Sequence, residues 1–309
     1  MNSERTIQSA LVTGAAGTIG TALLNYLIRN HIRTTALVHA GSERNADLPR
    51  DACLTLVECD MDGYDSLVLP ERYDAFFHLA WMGTYGDARN DVSLQSRNVE
   101  GTLAAVRLAA RSGCRVFAGA GSQAEYKKTD AILGPDSEIL PDTEYGRAKY
   151  RAGRMSAELC RELHLDQVWT RFFSVYGPGD SGRTMVMSGI RAMLAGEVPK
   201  YTEGRQMWDY LYSGDAARAM FLAASRGTDQ AVYCVGSGKA RPLADYIEMI
   251  RRAVSPDARV EIGAIPYYPN QRMYLQADIS TLTEDTGFVP EVPFEEGIRR
   301  TVAWAREHP

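Results

Sequence analysis

A chain of 309 residues with 45% hydrophobic content is long enough to fold as one large domain or two smaller ones. Its 24% charged residues, net charge of −5 and absence of any like-charge block exclude a broad basic face for nucleic acid. Its apolar runs are too short and Gly-broken for a membrane span, and its five scattered cysteines without a C-x-x-C pair exclude a disulfide framework and a zinc site, so reduced thiols and a cytoplasmic location are expected.

The N-terminal stretch "MNSERTIQSALVTG" lacks the basic-then-apolar order of a secretion signal and runs directly into a strand. From there, strand-like runs alternate with helical patterns. The runs are "SALVT", "TTALVH", "LTLVEC", "DAFFHLA", "RVFAGA" and "QVWTRFF"; the helical patterns span Thr18 to Asn30, Asp91 to Ser112 and Thr143 to His164. Such alternation predicts an α/β fold with a doubly wound parallel sheet, whose ligands lie at the carboxyl ends of its strands.

Between the first strand and first helix, "VTGAAGTIG" sets Gly14, Gly17 and Gly20, with Thr18 and Ile19 opening the helix. A pyrophosphate needs close backbone approach and helix N-terminal amides, which glycines at this junction supply, so dinucleotide binding is expected here. The second strand is followed by "LVHAGSERN", with His39 and Arg44 and no acid before Glu43. That loop suits the 2′-phosphate of NADP, with NAD the alternative. Asp60 and Met61, after the third strand, fall where the adenine is expected, and Asp60 is suited to accept from its amino group.

After "RFFSVYGPGD" glycine and proline become frequent and the elements shorten. Helices are expected at Thr184 to Ala195, Gly214 to Ser225, Leu243 to Val254 and Phe294 to Glu307, with a strand at "AVYCVG". The expected division is residues 1–175 as the dinucleotide-binding domain and 176–309 as a substrate-binding lobe, with 214–236 returning to the sheet.

The chemistry centres on "DTEYGRAKY", which puts Tyr145 and Lys149 one turn apart at the start of a helix. A free phenol with pKa near 10 is a poor proton donor at neutral pH, and a neighbouring ammonium lowers it toward the working range. By composition alone a Tyr and a Lys at this spacing would be a surface pair. The glycine loop upstream and Ser122 at the end of the fifth strand favour catalysis instead.

"VTGAAGTIG", "FFHLAW", "RNVEGT", "GSQAEY", "YGRAK" and "RFFSVYGPG" occur in the order found in the extended short-chain dehydrogenases/reductases, and the chain resembles that family over nearly its whole length. The resemblance implies a Rossmann sheet with a smaller, interleaved C-terminal substrate lobe, acting on nucleotide sugars as epimerase, dehydratase or reductase. It implies Ser122, Tyr145 and Lys149 as the catalytic set, with Lys149 also on the nicotinamide ribose. Leu79, Ala80 and Phe173 would line the nicotinamide pocket and Asn98 would buttress it. Thr84 faces the expected sugar position. Ser174 stands where the family has a diphosphate-binding Asn, and Trp208 where an Arg is common, which leaves Arg205 or Arg272 to contact the diphosphate. The helices Asp91 to Ser112 and Thr143 to His164 correspond to those that pair in the family's homodimers.

Gln123 and Ala124 beside Ser122 lack the Asp-Glu pair of the 4,6-dehydratases. The leading expectation is therefore an NADPH-dependent reductase of a nucleotide-linked 4-keto-6-deoxyhexose. The enzyme alternative is an NAD-dependent nucleotide-sugar 4-epimerase. An alternative of another class is a non-catalytic NAD(P)-binding regulatory or RNA-associated protein. Neither a metal nor a membrane partner is expected.

Overall fold

The computed structural model describes residues 4–308. The apolar runs form β1 (Ser9–Thr13), β2 (Arg33–Val38), β3 (Leu54–Glu58), β4 (Ala75–His78), β5 (Val116–Ser122), β6 (Asp166–Phe172) and β7 (Ala231–Val235). All seven lie parallel in one sheet, in the order β7-β6-β5-β4-β1-β2-β3. The order reverses between β1 and β4, so the crossovers leave on opposite faces and open a crevice at the carboxyl ends of these strands.

The period-3.6 segments fold as α1 (Thr18–Arg29), α2 (Val92–Arg111), α3 (Glu144–Glu162), α4 (Met185–Leu194), α5 (Ser213–Arg226), α6 (Leu243–Val254), α7 (Ser280–Thr286) and α8 (Phe294–Glu307). α7 was not anticipated: its seven residues are too few to display a period, and it stops at Gly287 with φ 74°. Strand alternation distributes the core to both faces of the sheet. Ala10 and Val12 join Leu23, Leu24 and Leu27 of α1 and Met220 and Ala223 of α5. Leu11, Phe76 and Phe117 point the other way, into Ala105, Leu108 and Ala109 of α2.

After β6 the chain leaves the sheet and returns through α5 to β7, which pairs with β6 from Ala231 opposite Val168 to Val235 opposite Phe172. The excursion and the C-terminal residues build a smaller lobe above the strand ends. Its core is aromatic: the Phe294 ring centroid lies 4.7 Å from that of Tyr176 and 4.5 Å from that of Tyr246. The buried Asp209 ties the lobe to the end of β7, accepting from the amides of Ser237 at 2.7 Å, Gly238 at 3.0 Å and Ala277 at 3.1 Å. Among the described residues, no helix is long and apolar enough to cross a membrane.

Candidate active site

The sheet's carboxyl edge and the lobe enclose a cleft of ≈ 1360 Å³. Its floor is the turn between β1 and α1. Gly14 has φ +69°, and a Cβ there would lie 2.5 Å from the Leu79 carbonyl carbon, so the protein's own backbone requires a glycine. A Cβ on Gly17 would meet only the Gly14 carbonyl oxygen, at 3.3 Å. Gly17 is also the N-cap of α1 and offers no side-chain cap, so the first helix amides face the cleft without a side-chain acceptor. An uncapped helix N-terminus behind a small residue fits a dinucleotide pyrophosphate. Thr18, Ile19 and Gly20 line the same wall.

His39 and Arg44, beyond β2, and Asp60 and Met61, beyond β3, line the end of the cleft where the adenosine is expected. Asp60 is not a free carboxylate: His39 Nδ1 contacts its Oδ1. Leu79, Ala80 and Phe173 line the middle of the cleft, and Thr84 and Ser174 line it as well.

Ser122 closes β5 and is fixed by a polar network beneath it. Its amide donates to Glu125 Oε1 at 2.8 Å, and its Oγ accepts from the Ala124 amide at 3.2 Å. Glu125 is buried, but it is held by Trp169 Nε1 at 3.1 Å and by an ion pair with Arg171 Nε at 2.7 Å. Arg171 also donates to Tyr126 Oη at 2.8 Å. Partners on both sides make a buried carboxylate tolerable and keep the turn carrying Ser122 rigid.

Tyr145 enters the cleft from the first turn of α3, whose N-cap Thr143 accepts from the Gly146 amide at 3.2 Å. Burial raises the phenol's pKa; a hydrogen bond with Ser122 and the charge of Arg89 pull it down, and Glu125 pushes it up. Lys149, also buried, falls to about 7 because its ammonium is desolvated, with Glu125 opposing.

The charges differ in one respect from the expectation for the Tyr145–Lys149 pair. Lys149 Nζ donates to the Ala120 carbonyl at 2.6 Å and lies 3.7 Å above the Trp81 ring, 6.0 Å from the Tyr145 centroid. The cation on the phenol ring is Arg89, with its guanidinium carbon 4.4 Å from the centroid. The spacing of four brings Lys149 to the site, but a nearby carbonyl and indole attract its ammonium more directly than the phenol does.

Other assigned residues stand apart. Asn98 is fully buried behind the cleft wall, accepting from the Met82 amide at 2.8 Å and donating to its carbonyl at 2.9 Å. It supports the loop after β4 instead of facing a ligand. Arg205 is exposed and paired with Glu203 at 2.9 Å, and Arg272 is partly buried with Nη1 lacking a hydrogen-bond partner; neither lines the cleft. Arg89, Trp81 and the buried Asp180 line the cleft and were not singled out from the sequence. Burial pushes the Asp180 carboxyl up to about 6, although Thr184 Oγ1 donates to it at 2.8 Å and the Ser181 amide at 2.7 Å. The position of these residues just beyond strand ends was the available signal; nothing local marked them within their loops.

A doubly wound sheet with an uncapped glycine turn and a Ser–Tyr–Lys cluster at its carboxyl edge defines a dinucleotide-dependent enzyme of the extended short-chain dehydrogenase/reductase class. Residues 10–236 match the model of the NAD dependent epimerase/dehydratase family, and the chain belongs to that family. It is similar to the dTDP-glucose 4,6-dehydratase of Neisseria meningitidis serogroup B, with 24% identity over 96% of this chain and 93% of the relative. It is also 26% identical to the trifunctional UDP-glucose 4,6-dehydratase/UDP-4-keto-6-deoxy-D-glucose 3,5-epimerase/UDP-4-keto-L-rhamnose-reductase of Arabidopsis thaliana, over 98% of this chain but 48% of that protein. The fold matches a UDP-N-acetylglucosamine 4-epimerase of Methanobrevibacter ruminantium M1 with TM-score 0.87 and 24% identity, covering 100% of both chains.

Proposed function

We propose that the protein reduces a nucleotide-linked 4-keto-6-deoxyhexose with NADPH. The observation that carries this reading is that Ser122, Tyr145 and Lys149 line one cleft together with the glycine turn of β1 and α1. When bound, the nicotinamide supplies the hydride for the sugar's carbonyl carbon. Ser122 orients the carbonyl oxygen, and Tyr145 gives that oxygen its proton. Lys149 places a buried, readily titrated amine beside them.

Gln123 and Ala124 next to Ser122 leave no adjacent carboxylate pair for dehydration. The segment after β2 offers His39 and Arg44 to a 2′-phosphate, with His39 already drawing on Asp60. A second reading, NAD-dependent 4-epimerisation of a nucleotide sugar, is favoured by the family match itself.

One experiment separates the two. Purified protein is assayed for loss of NADPH absorbance with an enzymatically generated nucleotide-linked 4-keto-6-deoxyhexose, and in parallel for NAD retained through dialysis and for UDP-sugar epimerisation. Turnover of NADPH without retained NAD supports reduction; retained NAD with epimerisation replaces that reading with the second. The reading also includes a homodimer paired through α2 and α3, which leave Val92 61% and Met155 42% exposed in the single chain. Light scattering of the purified protein tests it.

A further inference from the structure

The Arg89 guanidinium carbon lies 4.4 Å over the Tyr145 ring, and the Trp81 indole meets the same ring edge-on at 6.1 Å. Arg89 comes from the 3-10 turn Gly86–Asn90 that leads into α2. Its Nη1 donates to the Thr84 carbonyl at 3.1 Å, which anchors the fork against the phenol. Among the described residues Arg89 makes no ion pair, so its charge is not already neutralised by a carboxylate. Lys149 is committed elsewhere, to Ala120 and Trp81.

We propose that Arg89 is a positioning residue for Tyr145, clamping the phenol ring in the cleft and serving as counter-ion to its phenolate. The inference rests on the assignment of Tyr145 as proton donor. In that step the O–H bond of Tyr145 breaks, a new O–H bond forms on the substrate oxygen, and the negative charge left on the phenolate faces the guanidinium. A cation over an aromatic face steadies the neutral ring and stabilises the ionised one more strongly. Other groups act on the same phenol: Ser122 by a hydrogen bond, Glu125 by repulsion, and Tyr85 as a neighbouring phenol on the loop after β4. Lys149 lies one helical turn along. Glu125 is compensated by its pair with Arg171, which leaves Arg89 as the cation stacked directly on the ring.

The test is a titration of Tyr145 without substrate or cofactor. Protein carrying ζ-13C tyrosine is titrated by NMR, with the Tyr145 signal assigned by its loss in Tyr145→Phe. In Arg89→Met the midpoint is expected at higher pH than in the unmodified chain, and Arg89→Lys should recover most of the difference. Thermal melting identifies any variant that fails to fold, in which case Arg89→Lys and Arg89→Gln carry the comparison. In turnover, the alkaline limb of the pH–rate profile should move upward with the midpoint, and the rate at neutral pH should fall about tenfold with the dinucleotide KM unchanged. A Tyr145 midpoint identical in Arg89→Met and the unmodified chain overturns the inference. If the midpoint moves but Tyr145→Phe retains full activity, the action of Arg89 on the phenol stands and the catalytic reading of Tyr145 falls.

Discussion

Trp208 Nε1 donates to Ser174 Oγ at 2.7 Å, across a sequence separation of 34 residues. These are the two positions where the resemblance to the family leads us to expect a diphosphate-binding Asn and an Arg, and here they bond to each other. A neutral indole–hydroxyl pair supplies no charge to a diphosphate, and the indole N–H is already used. Replacing both together, Ser174→Asn with Trp208→Arg, should therefore raise the affinity for a free nucleoside diphosphate. One recovered charge-assisted contact corresponds to roughly tenfold in Kd. Calorimetry with UDP and dTDP reads this; unchanged or weaker binding in the folded double variant would show that the family's diphosphate subsite is not recreated here.

The glycine loop separates a ligand's requirement from the fold's. A Cβ on Gly20 would stand 2.1 Å from the Gly14 carbonyl oxygen, whereas one on Gly17 would stand 3.3 Å from it. Gly20→Ala must shift the helix start against its own turn and should cost about 2 kcal/mol or more of stability. Gly17→Ala should melt within a few degrees of the unmodified chain yet bind NADP(H) at least tenfold more weakly, because the added methyl occupies phosphate space. Melting curves with and without dinucleotide measure both effects. Equal dinucleotide stabilisation in Gly17→Ala and the unmodified chain would rule out this loop as the pyrophosphate site.

Much of this arrangement was legible because it is written in local pattern. The strands are short apolar runs, α1 begins at a glycine loop, and Tyr145 and Lys149 are separated by one helical turn, so each is visible within a dozen residues. What stayed hidden depends on chain partners far apart. Arg89 lies in an aperiodic turn and reaches the Tyr145 ring only because α2 and α3 are neighbours. Glu125 is buried and paired only because Trp169 and Arg171, on β6, close over it. Arg205 carried the chemistry expected of a phosphate ligand, but Glu203, two residues away, takes its charge at the surface. Residue type was readable in these cases; direction was not, because tertiary packing sets it.

Lys149 should trade stability for function. Its amine falls from 10.5 to about 7 in the folded chain, chiefly through desolvation. Below about pH 7 both folded and unfolded chains carry the proton, and the folded state bears the full cost of a buried charge. Between 7 and 10.5 only the unfolded chain holds the proton, so this residue makes stability rise with pH across that window. Lys149→Met should abolish turnover yet raise stability near pH 6 by about 1–2 kcal/mol, less than the shift alone would imply because the bond to Ala120 is lost. The advantage should shrink as pH approaches 10. Chemical denaturation at pH 6, 8 and 10 checks the trend, and a variant less stable than the parent at pH 6 contradicts it.

His78 acts with the same sign in a lower pH window. It ends β4 completely enclosed, with Nδ1 2.9 Å from Thr13 Oγ1 and Nε2 3.2 Å from Thr102 Oγ1. Burial, aided by the charge of Lys149, lowers its pKa from 6.5 to about 3, so the folded protein keeps the ring neutral. Above 6.5 both states are neutral and nothing is lost. As pH falls below 6.5 the unfolded chain takes up a proton that the folded chain refuses, and stability declines until the folded pKa is reached. One such group costs about 1.4 kcal/mol per pH unit at full slope. His78→Asn keeps hydrogen-bonding capacity but does not titrate. It should melt lower at pH 7, by an amount equivalent to about 1–2 kcal/mol, while losing distinctly less stability than the parent between pH 6.5 and 4.5. Parallel slopes for the two proteins over that range would mean that other groups, not this histidine, govern acid unfolding.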